Sequence, residues 1–362
     1  MTAMRILLIG AGAIAHHHAA AARLLPATAI LAADPSAQAR TTFAAAFPEA
    51  TLFDTPEAML ATPRGPDDIA VVAVPPWLHA PMTLAAFAAG YHVLCEKPLA
   101  RTLPELDAML AAAAQAGREL GDCAIRFNAQ PAMTAARAAL AQGATGPLTL
   151  VRMVHRNPRM RPGIEYQPVS RWFLDPDKAG GGVLMDWSVY DLAMLFDVLC
   201  PVAVTVESAH MGRITGRDDP PDHPARVESH VAAMLRLTLS DGQTVPLLYE
   251  RANGVNGPAL SELSVEGMTG GLTWQWLPPY ENGTTKLTRY TDAGPKVELV
   301  TETLPMGDHP HYHHQPLLAL AARIRGEPSA ALSPADLRFN FATIAAIQTT
   351  ANGGGPVTVT RA

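Results

Sequence analysis

The chain has 362 residues, of which 48% are hydrophobic and 17% are charged, and its formal net charge is −6. This size predicts two domains, each with its own core, and the weak negative charge argues against nucleic acid as a partner. We find no apolar run of membrane-spanning length and no signal-peptide pattern, and Cys95, Cys123 and Cys200 are widely spaced, so we expect a cytoplasmic protein without a membrane partner.

Strand and helix patterns alternate up to about residue 121. Apolar runs predict parallel strands, and the segments between them predict helices. The predicted strands are Arg5–Ile9, Ala29–Ala33, Thr51–Phe53, Ile69–Val74 and His92–Cys95, and the predicted helices are His16–Leu25, Ala37–Ala45, Pro56–Ala61, Ala80–Ala89 and Leu103–Gly117. This α/β order is typical of a doubly wound parallel Rossmann sheet, and we assign residues 1–121 to a dinucleotide-binding domain.

The motif Gly10-Ala11-Gly12-Ala13-Ile14-Ala15 follows the first predicted strand. Gly10 allows a tight turn, Gly12 allows close approach of a pyrophosphate, and a helix N-terminus behind them favours an anion. Asp34 ends the second strand, where a carboxylate accepts hydrogen bonds from ribose hydroxyls and repels a 2′-phosphate. The next arginine is Arg40, so we predict NAD rather than NADP. The alternative is an ordinary glycine turn and a strand-ending acid.

The motif Glu96-Lys97-Pro98 follows the strand His92–Cys95, at the sheet edge where doubly wound folds bind ligands. A lysine there can hold a substrate hydroxyl oxygen, or relay its proton, while the carbon gives hydride to nicotinamide. The alternative is a solvated turn.

The second domain, residues 122–362, is predicted to be α+β with a large open, mostly antiparallel sheet. Turns are expected at Ser240-Asp241-Gly242 and Asn282-Gly283, and the long segment Asn157–Ala179 is expected to cover a site. The predicted strands are Leu148–His155, Val202–Met211, His230–Leu239, Thr244–Ala252, Leu260–Glu266 and Lys286–Tyr290.

An ordered series of motifs resembles the Gfo/Idh/MocA family of sugar and polyol oxidoreductases. The series comprises Val74–Pro81, Ala89–Leu99, Arg126-Phe127-Asn128, Gly180–Asp186 and Gly326-Glu327-Pro328. The resemblance implies that Lys97 is the catalytic lysine and that the second domain forms a homodimer or homotetramer through its sheet. By the same resemblance, the cofactor would be lined by Gly10, Gly12, Ala13, Ile14, Asp34, Pro75, Pro76, His79, Glu96, Lys97, Asn128 and Tyr312.

Two departures from the family pattern concern mechanism. Family members usually have histidine where this chain has Tyr190, although glucose–fructose oxidoreductase and dihydrodiol dehydrogenase resemble it in having tyrosine there. The second departure is Ala193, which stands where aspartate is common in the family. If Leu184–Leu199 is one helix, Asp186 and Tyr190 share a face. We therefore expect Lys97 and Tyr190 to act as a coupled proton-transfer pair, with Asp186 orienting the substrate or the lysine; a core tyrosine is the alternative.

The remaining expectations concern substrate and metal. Arg126, Trp172, Asp186 and Tyr190 are predicted to contact substrate, although Trp172 could equally be a core residue. Neither His16-His17-His18, whose side chains diverge on a helix, nor the histidines at 309–314 predicts a metal site. The sequence thus predicts an NAD-dependent oxidoreductase acting on a sugar, inositol or related polyol. An NAD-dependent glycosidase and a non-catalytic dinucleotide-binding regulator are the alternatives.

Overall fold

The computed structural model describes residues 4–26, 29–158, 170–213 and 226–361. Its helices are α1 (Ala13–Ala22), α2 (Ala37–Ala46), α3 (Pro56–Leu60), α4 (His79–Ala88), α5 (Leu103–Ala116), α6 (Pro131–Ala141), α7 (Pro176–Ala179), α8 (Val183–Asp186), α9 (Ser188–Leu199), α10 (Gln315–Ile324) and α11 (Pro334–Thr349). Its strands are β1 (Arg5–Ile9), β2 (Ala29–Ala33), β3 (Thr51–Phe53), β4 (Ile69–Val72), β5 (His92–Cys95), β6 (Leu120–Asp122), β7 (Leu148–Asn157), β8 (Ala203–Gly212), β9 (His230–Thr238), β10 (Thr244–Asn253), β11 (Leu260–Gly267), β12 (Gly270–Trp274), β13 (Thr284–Asp292), β14 (Val297–Pro305) and β15 (Val357–Thr360).

The chain forms two compact units. The first comprises Met1–Arg126 and Pro310–Arg338, and the second comprises Phe127–His309 and Phe339–Ala362. The sequence analysis expected one domain boundary, at residue 121. The two units are instead discontinuous in sequence, because residues 310–338 return to the first unit. There, Leu317, Leu320 and Ala321 of α10 are buried in the same apolar core as β1 and α1.

The first unit contains a six-stranded sheet in the order β3-β2-β1-β4-β5-β6. All its pairings are parallel, which confirms the predicted doubly wound sheet. The order reverses between β1 and β4, and ligands bind at such a switch point beyond the carboxyl ends of the strands. The turns after β1, β4 and β5, which carry the predicted motifs, all lie at this edge.

The second unit contains a nine-stranded sheet in the order β14-β13-β12-β11-β7-β10-β9-β8-β15. Its pairings are antiparallel except for β7 with β10, which are parallel, so the sheet is mixed and mostly antiparallel as predicted. The turn at Ser240-Asp241-Gly242 joins β9 to β10, and Gly242 has the left-handed φ of +84° that such a turn needs. Asn282 and Gly283 also have positive φ, but they end a longer connection between β12 and β13.

The predicted helix Leu184–Leu199 is wrong in one respect, because it is divided at Trp187 into α8 and α9. Trp187 has φ −118° and ψ −37°, which places Asp186 and Tyr190 in different helical segments. The expected shared helix face for these two residues therefore does not exist. Helix α9 is buried almost throughout, including the predicted stripe of Leu192, Leu195, Phe196 and Leu199.

Of the segment predicted to cover a site, residues 159–169 lie outside the described part of the chain. Across the described residues, we find no helix that is both long enough and apolar enough to cross a bilayer.

Candidate cofactor and catalytic site

The glycine turn after β1 has the shape that a dinucleotide site requires. Gly10 has φ +102°, and a Cβ there would lie 2.5 Å from the carbonyl oxygen of Ala73, so no larger residue fits. Gly12 is exposed and forms the N-cap of α1 without any side-chain cap, and a Cβ there would meet no atom within 4 Å. The N-terminus of α1 therefore has no side-chain cap, and the N–H groups of such a helix end can bind an anion.

Asp34 connects the end of β2 to this turn. Its Oδ2 accepts a hydrogen bond from the backbone N–H of Ala11 at 3.0 Å, and its Oδ1 accepts one from Ser36 at 2.8 Å. Arg40 donates to the backbone carbonyl of Asp34 at 2.7 Å and forms an ion pair with Asp54, also at 2.7 Å. The guanidinium that could have recognised a 2′-phosphate is thus already paired with a carboxylate.

Glu96 is the centre of a buried network in the first unit. One of its oxygens lies 2.8 Å from Nε2 of His18 and accepts a hydrogen bond from Arg126, and the other accepts the backbone N–H of Lys97 at 3.1 Å. Although burial opposes ionisation, Arg126 and His18 hold the pKa of Glu96 well below its usual range. Glu96 therefore stays ionised and anchors the segment that carries Lys97.

Lys97 itself is half-buried, whereas Glu96 and Pro98 on either side are buried, and the Lys97–Pro98 peptide bond is cis. The lysine thus follows β5 directly, at the carboxyl edge of the parallel sheet. The flanking contacts fix its backbone while its side chain keeps some access to solvent.

His79 is enclosed between two backbone carbonyls. It is 1% exposed, and its Nδ1 and Nε2 each lie 2.8 Å from a carbonyl oxygen, that of Pro98 and that of Val74, respectively. Burial lowers the pKa of His79, with the two carbonyls opposing the shift. These contacts connect His79 to the turns after β4 and β5, and the neutral imidazole donates a hydrogen bond to one of the two carbonyls.

The three consecutive histidines of α1 diverge, as their helical spacing predicts. His16 packs against Phe43 and donates a hydrogen bond from Nδ1 to the carbonyl oxygen of Gly12. His17 stacks on His313 with ring centroids 4.1 Å apart, and His18 is buried against Glu96. Burial, together with the charge of Arg126, lowers the pKa of His313 to about 2. Tyr312 lies in the same segment of the first unit.

One group of potential metal ligands occurs among the described residues, namely His18, Glu96 and Cys123, whose ligand atoms lie within 4.8 Å of one another. Glu96 already binds His18 and Arg126, and the pKa of the Cys123 thiol is raised well above its ordinary value by burial. A guanidinium on the same carboxylate and a protonated thiol suit a hydrogen-bond network better than a cation.

In the second unit, Tyr190 lies in an aromatic row. Its ring makes edge contacts with Trp187, at a centroid distance of 5.7 Å, and with Phe127, at 5.2 Å.

The triple glycine before α8 has a steric reason, because a Cβ on Gly182 would lie 1.9 Å from the carbonyl oxygen of Glu228. The backbone there is fixed against the start of β9, and the chain then continues through Asp186 to Tyr190.

Sequence reasoning missed a buried ion pair beside Tyr190. Arg251 on β10 donates through Nε to Oδ2 of Asp191 at 2.8 Å, and a second guanidinium nitrogen bonds Oδ1. The sequence carried a signal for this pair. Arg251 continues the inward-facing series Leu247 and Tyr249 on β10, and Asp191 is a charged residue in a helix that is otherwise mostly apolar. Two opposite charges at core positions imply a buried pair.

The other predicted residues have the following environments. Arg126 is 5% exposed and bonded to Glu96, which favours a structural role over substrate contact. Asn128 is buried and donates to the carbonyl of Ala193 at 3.2 Å, and its Oδ1 has no hydrogen-bond partner within the described residues. Trp172 is half-buried and stacks on Phe173 at 3.8 Å.

Sequence comparison agrees with this architecture. Residues 4–121 match the model described as "Oxidoreductase family, NAD-binding Rossmann fold" of Gfo/Idh/MocA, and residues 133–272 match the Gfo/Idh/MocA C-terminal domain. A 1,5-anhydro-D-fructose reductase of Ensifer adhaerens is 42% identical over 124 residues, 34% of each chain. An inositol 2-dehydrogenase of Paracoccus denitrificans is 33% identical over 150 residues, 38% of this chain and 43% of that one. These alignments span less than half the length of the curated relatives.

Solved structures resemble the chain over nearly its whole length. A levoglucosan dehydrogenase in complex with NADH and levoglucosan has a TM-score of 0.77 at 20% identity and covers 98% of this chain and 99% of its own. A 3-ketoreductase from Actinomadura kijaniata in complex with NADP and TDP-benzene has a TM-score of 0.76 at 21% identity and covers 96% and 98%. At such identities the likeness establishes the fold.

Together, the parallel sheet with its glycine turn and the large mixed sheet define a two-unit protein built on a Rossmann nucleotide-binding fold. More specifically, the chain belongs to the Gfo/Idh/MocA family, which confirms the resemblance that its motifs carry.

Proposed function

We propose that the protein is a nicotinamide-dependent oxidoreductase that transfers hydride between the cofactor and a hydroxyl-bearing carbon of a sugar, inositol or related polyol. The observation that carries the proposal is the uncapped N-terminus of α1 behind Gly10, with the open position at Gly12. A pyrophosphate fits this cradle, because a Cβ at Gly12 would meet no protein atom and the helix offers free N–H groups. The family and its sugar and inositol relatives support the substrate class.

NAD is the cofactor that the charges favour. Asp34 and Asp54 are both acidic, and Arg40 between them offsets one negative charge, so a 2′-phosphate would meet net repulsion. The two solved neighbours carry NADH and NADP, respectively, so the fold alone does not decide the choice.

In the proposed mechanism, the glycine turn and Asp34 would hold NAD, which would supply the hydride acceptor for the carbon that bears the reacting hydroxyl. Lys97 donates a hydrogen bond from Nζ to the hydroxyl oxygen and stabilises the negative charge that develops there as the O–H proton leaves. We assign that proton to Tyr190 Oη working with Lys97, and an orienting role to Asp186. His79 takes no part in proton transfer, since both its nitrogens face backbone carbonyls.

The partner expected from the family is a second copy of the chain, and we propose self-association through the open face of the second sheet. Tyr290 on β13 is 37% exposed, and its cross-strand neighbour Leu299 on the edge strand β14 is 60% exposed.

A cytoplasmic location is also proposed, because Cys200 is exposed and forms no disulfide, as suits a reducing compartment.

The test is a panel of sugars, inositols and acyclic polyols assayed with NAD and with NADP, read both by the absorbance of reduced cofactor and by product analysis. We expect reduction of NAD with at least one substrate, loss of that activity in Lys97→Ala, and retention in Lys296→Ala, a matched change at an exposed lysine. Product without net cofactor reduction would indicate the glycosidase, and cofactor binding without any product would indicate a regulator.

A further inference from the structure

The ion pair between Asp191 and Arg251 is enclosed by the protein. Both side chains are 1% exposed. The carboxylate of Asp191 has a further hydrogen-bond partner in Tyr249, whose hydroxyl lies 2.7 Å from Oδ2 of Asp191 and 2.5 Å from Oγ of Ser188. Burial raises the pKa of Tyr249 well above its ordinary value, so the phenol stays protonated and can donate a hydrogen bond to the carboxylate.

This pair contacts the surroundings of Tyr190 in two ways. Asp191 is the next residue along α9, so its two bonds to Arg251 fix the first turn of the helix against β10. The guanidinium carbon of Arg251 also lies 4.9 Å from the centroid of the Trp187 ring, and that ring makes the edge contact with Tyr190. Both the backbone and the packing of Tyr190 therefore depend on the same pair.

Stability alone does not account for such a pair. Removing two charges from water costs about as much as their attraction returns, and buried pairs can often be replaced by apolar residues without loss of stability. The pair fixes an orientation, which an apolar contact does not. A guanidinium bound through two parallel hydrogen bonds has one fixed orientation, and its flat face can pack against an aromatic ring.

We propose that Asp191 and Arg251 are positioning residues for Tyr190, holding its phenol in the orientation needed for proton transfer while adding no net charge beside it. The inference rests on the proposed function, because it assumes that Tyr190 handles the substrate proton. It goes beyond that function by assigning a task to two residues that touch neither substrate nor cofactor.

Among the described residues of the second unit, His155 and Glu228 are two further titratable groups near this position. His155 on β7 lies near Trp187 in a stacked arrangement, and burial and the charge of Arg251 lower its pKa to about 4, so it is neutral near pH 7. Glu228 accepts the backbone N–H groups of Gly182 and Leu184, and burial raises its pKa, with Asp186 adding to the shift. Asp191 and Arg251 cancel each other, so removing either one changes the local charge by a full unit.

The first test uses this cancellation. Asp191→Asn leaves an unbalanced guanidinium and should lower the pKa of Tyr190, whereas Arg251→Gln leaves an unbalanced carboxylate and should raise it, each by about half a pH unit or more. The phenol is titrated directly by its ultraviolet absorbance, as the difference between each protein and the same protein carrying Tyr190→Phe. Arg152→Gln, which breaks a half-exposed pair with Glu262 on the same sheet, is the control and should leave the titration unchanged.

The second test separates orientation from charge. Arg251→Lys keeps the charge but loses the second hydrogen bond and the flat face, so the pKa of Tyr190 should stay near the wild-type value while kcat falls on the order of tenfold with little change in KM. Because single variants can fail to fold, the apolar double variant Asp191→Leu with Arg251→Met is also made. It should fold with near-native stability and lose kcat by a similar factor.

The proposal is overturned if the apolar double variant folds and keeps wild-type kcat, or if Asp191→Asn and Arg251→Gln shift the phenol titration in the same direction or not at all. The absorbance titration needs no substrate. If the shifts occur as expected but no sugar or polyol is turned over, the proposed function has failed and the positioning of Tyr190 has not.

Discussion

Oδ2 of Asp34 accepts a hydrogen bond from the backbone N–H of Ala11 at 3.0 Å, so the acid at the end of β2 is tied to the glycine turn. The same carboxylate is therefore expected to set both the shape of the cofactor site and its charge. Asp34→Ala should lower kcat/KM for both NAD and NADP, because the turn loses a hydrogen bond. The loss should be larger for NAD than for NADP. We expect the ratio of kcat/KM for NADP to that for NAD to rise tenfold or more, about 1.4 kcal/mol.

Asp54→Ala offers a second measurement of the same charge balance without touching the turn. Asp54 pairs with Arg40 and its side chain is 82% exposed. Removing it leaves the guanidinium available to a 2′-phosphate and should shift the ratio in the same direction by a smaller factor, because the pair is solvated. A wild-type enzyme that already prefers NADP would show that the assignment of Asp34 is wrong.

The second prediction concerns Lys97 and Tyr190. If both serve one proton transfer, Lys97→Ala and Tyr190→Phe should each lower kcat by on the order of 10²-fold or more, and the double variant should lose much less than the product of the single losses. NAD affinity should change little in Tyr190→Phe. The acidic limb of the kcat profile should move to higher pH in Lys97→Ala, because the phenol loses a cation that favours its ionised form.

The measurement is a set of pH–rate profiles for the wild type and the three variants. Strictly multiplicative losses, or full activity in Tyr190→Phe, would make Tyr190 a packing residue. Lys97 or His79 would then be the proton acceptor, and we favour Lys97 because both nitrogens of His79 face backbone carbonyls.

The third prediction follows from the ionised Glu96. Its pKa in the folded protein is lowered by Arg126 and His18 against the effect of burial, so its contribution to stability is complete above the unfolded pKa, about 4.3, and declines as the pH falls below that value. Denaturant unfolding of the wild type from about pH 6 to 3 should show this decline. Glu96→Gln should be less stable at pH 6 and show a flatter curve, because its amide cannot ionise and removes the buried charge that faces Arg126.

Glu49→Gln is the matched control, because Glu49 pairs with Arg23 at the surface, where both side chains are about half exposed. It should leave the curve nearly unchanged. A Glu96→Gln curve as steep as that of the wild type would mean that other carboxyl groups dominate the acid transition.

The fourth prediction concerns His313. Burial and Arg126 lower its folded pKa to about 2, while the unfolded value is near 6.5. The unfolded state therefore takes up a proton that the folded state does not, and stability is complete above about pH 6.5 and declines as the pH falls toward the folded pKa. His313→Gln should reduce the slope of unfolding free energy against pH between about pH 4 and 6, whereas His210→Gln, on β8 at the open sheet face, should not. Equal slopes in wild type and His313→Gln would show that the imidazole is protonated in the folded protein.

Much of the first unit could be predicted from the sequence because its determinants are local. The apolar run Ile6–Ile9 is buried on both sheet faces, glycine is required where Gly10 has positive φ, and helix α1 begins directly after Gly12. These features depend on residues that are neighbours in the chain. The succession of strands and helices along the chain, the glycine turn and the motif at Lys97 can therefore be predicted from the sequence. Strands β6, β12, β14 and β15 were not predicted, because their pairing depends on neighbours elsewhere in the sheet.

The sequence by itself determined the family, the fold class and the residue types that a nicotinamide site needs. Only the tertiary structure decided how the charged side chains are paired. Glu96 meets His18 across 78 positions of sequence, and Asp191 meets Arg251 across 60. The break at Trp187, the carbonyls around His79 and the return of residues 310–338 to the first unit depend in the same way on long-range packing. No local pattern specifies such contacts, because the free energy that selects each partner is the cost of leaving a particular buried group unpaired.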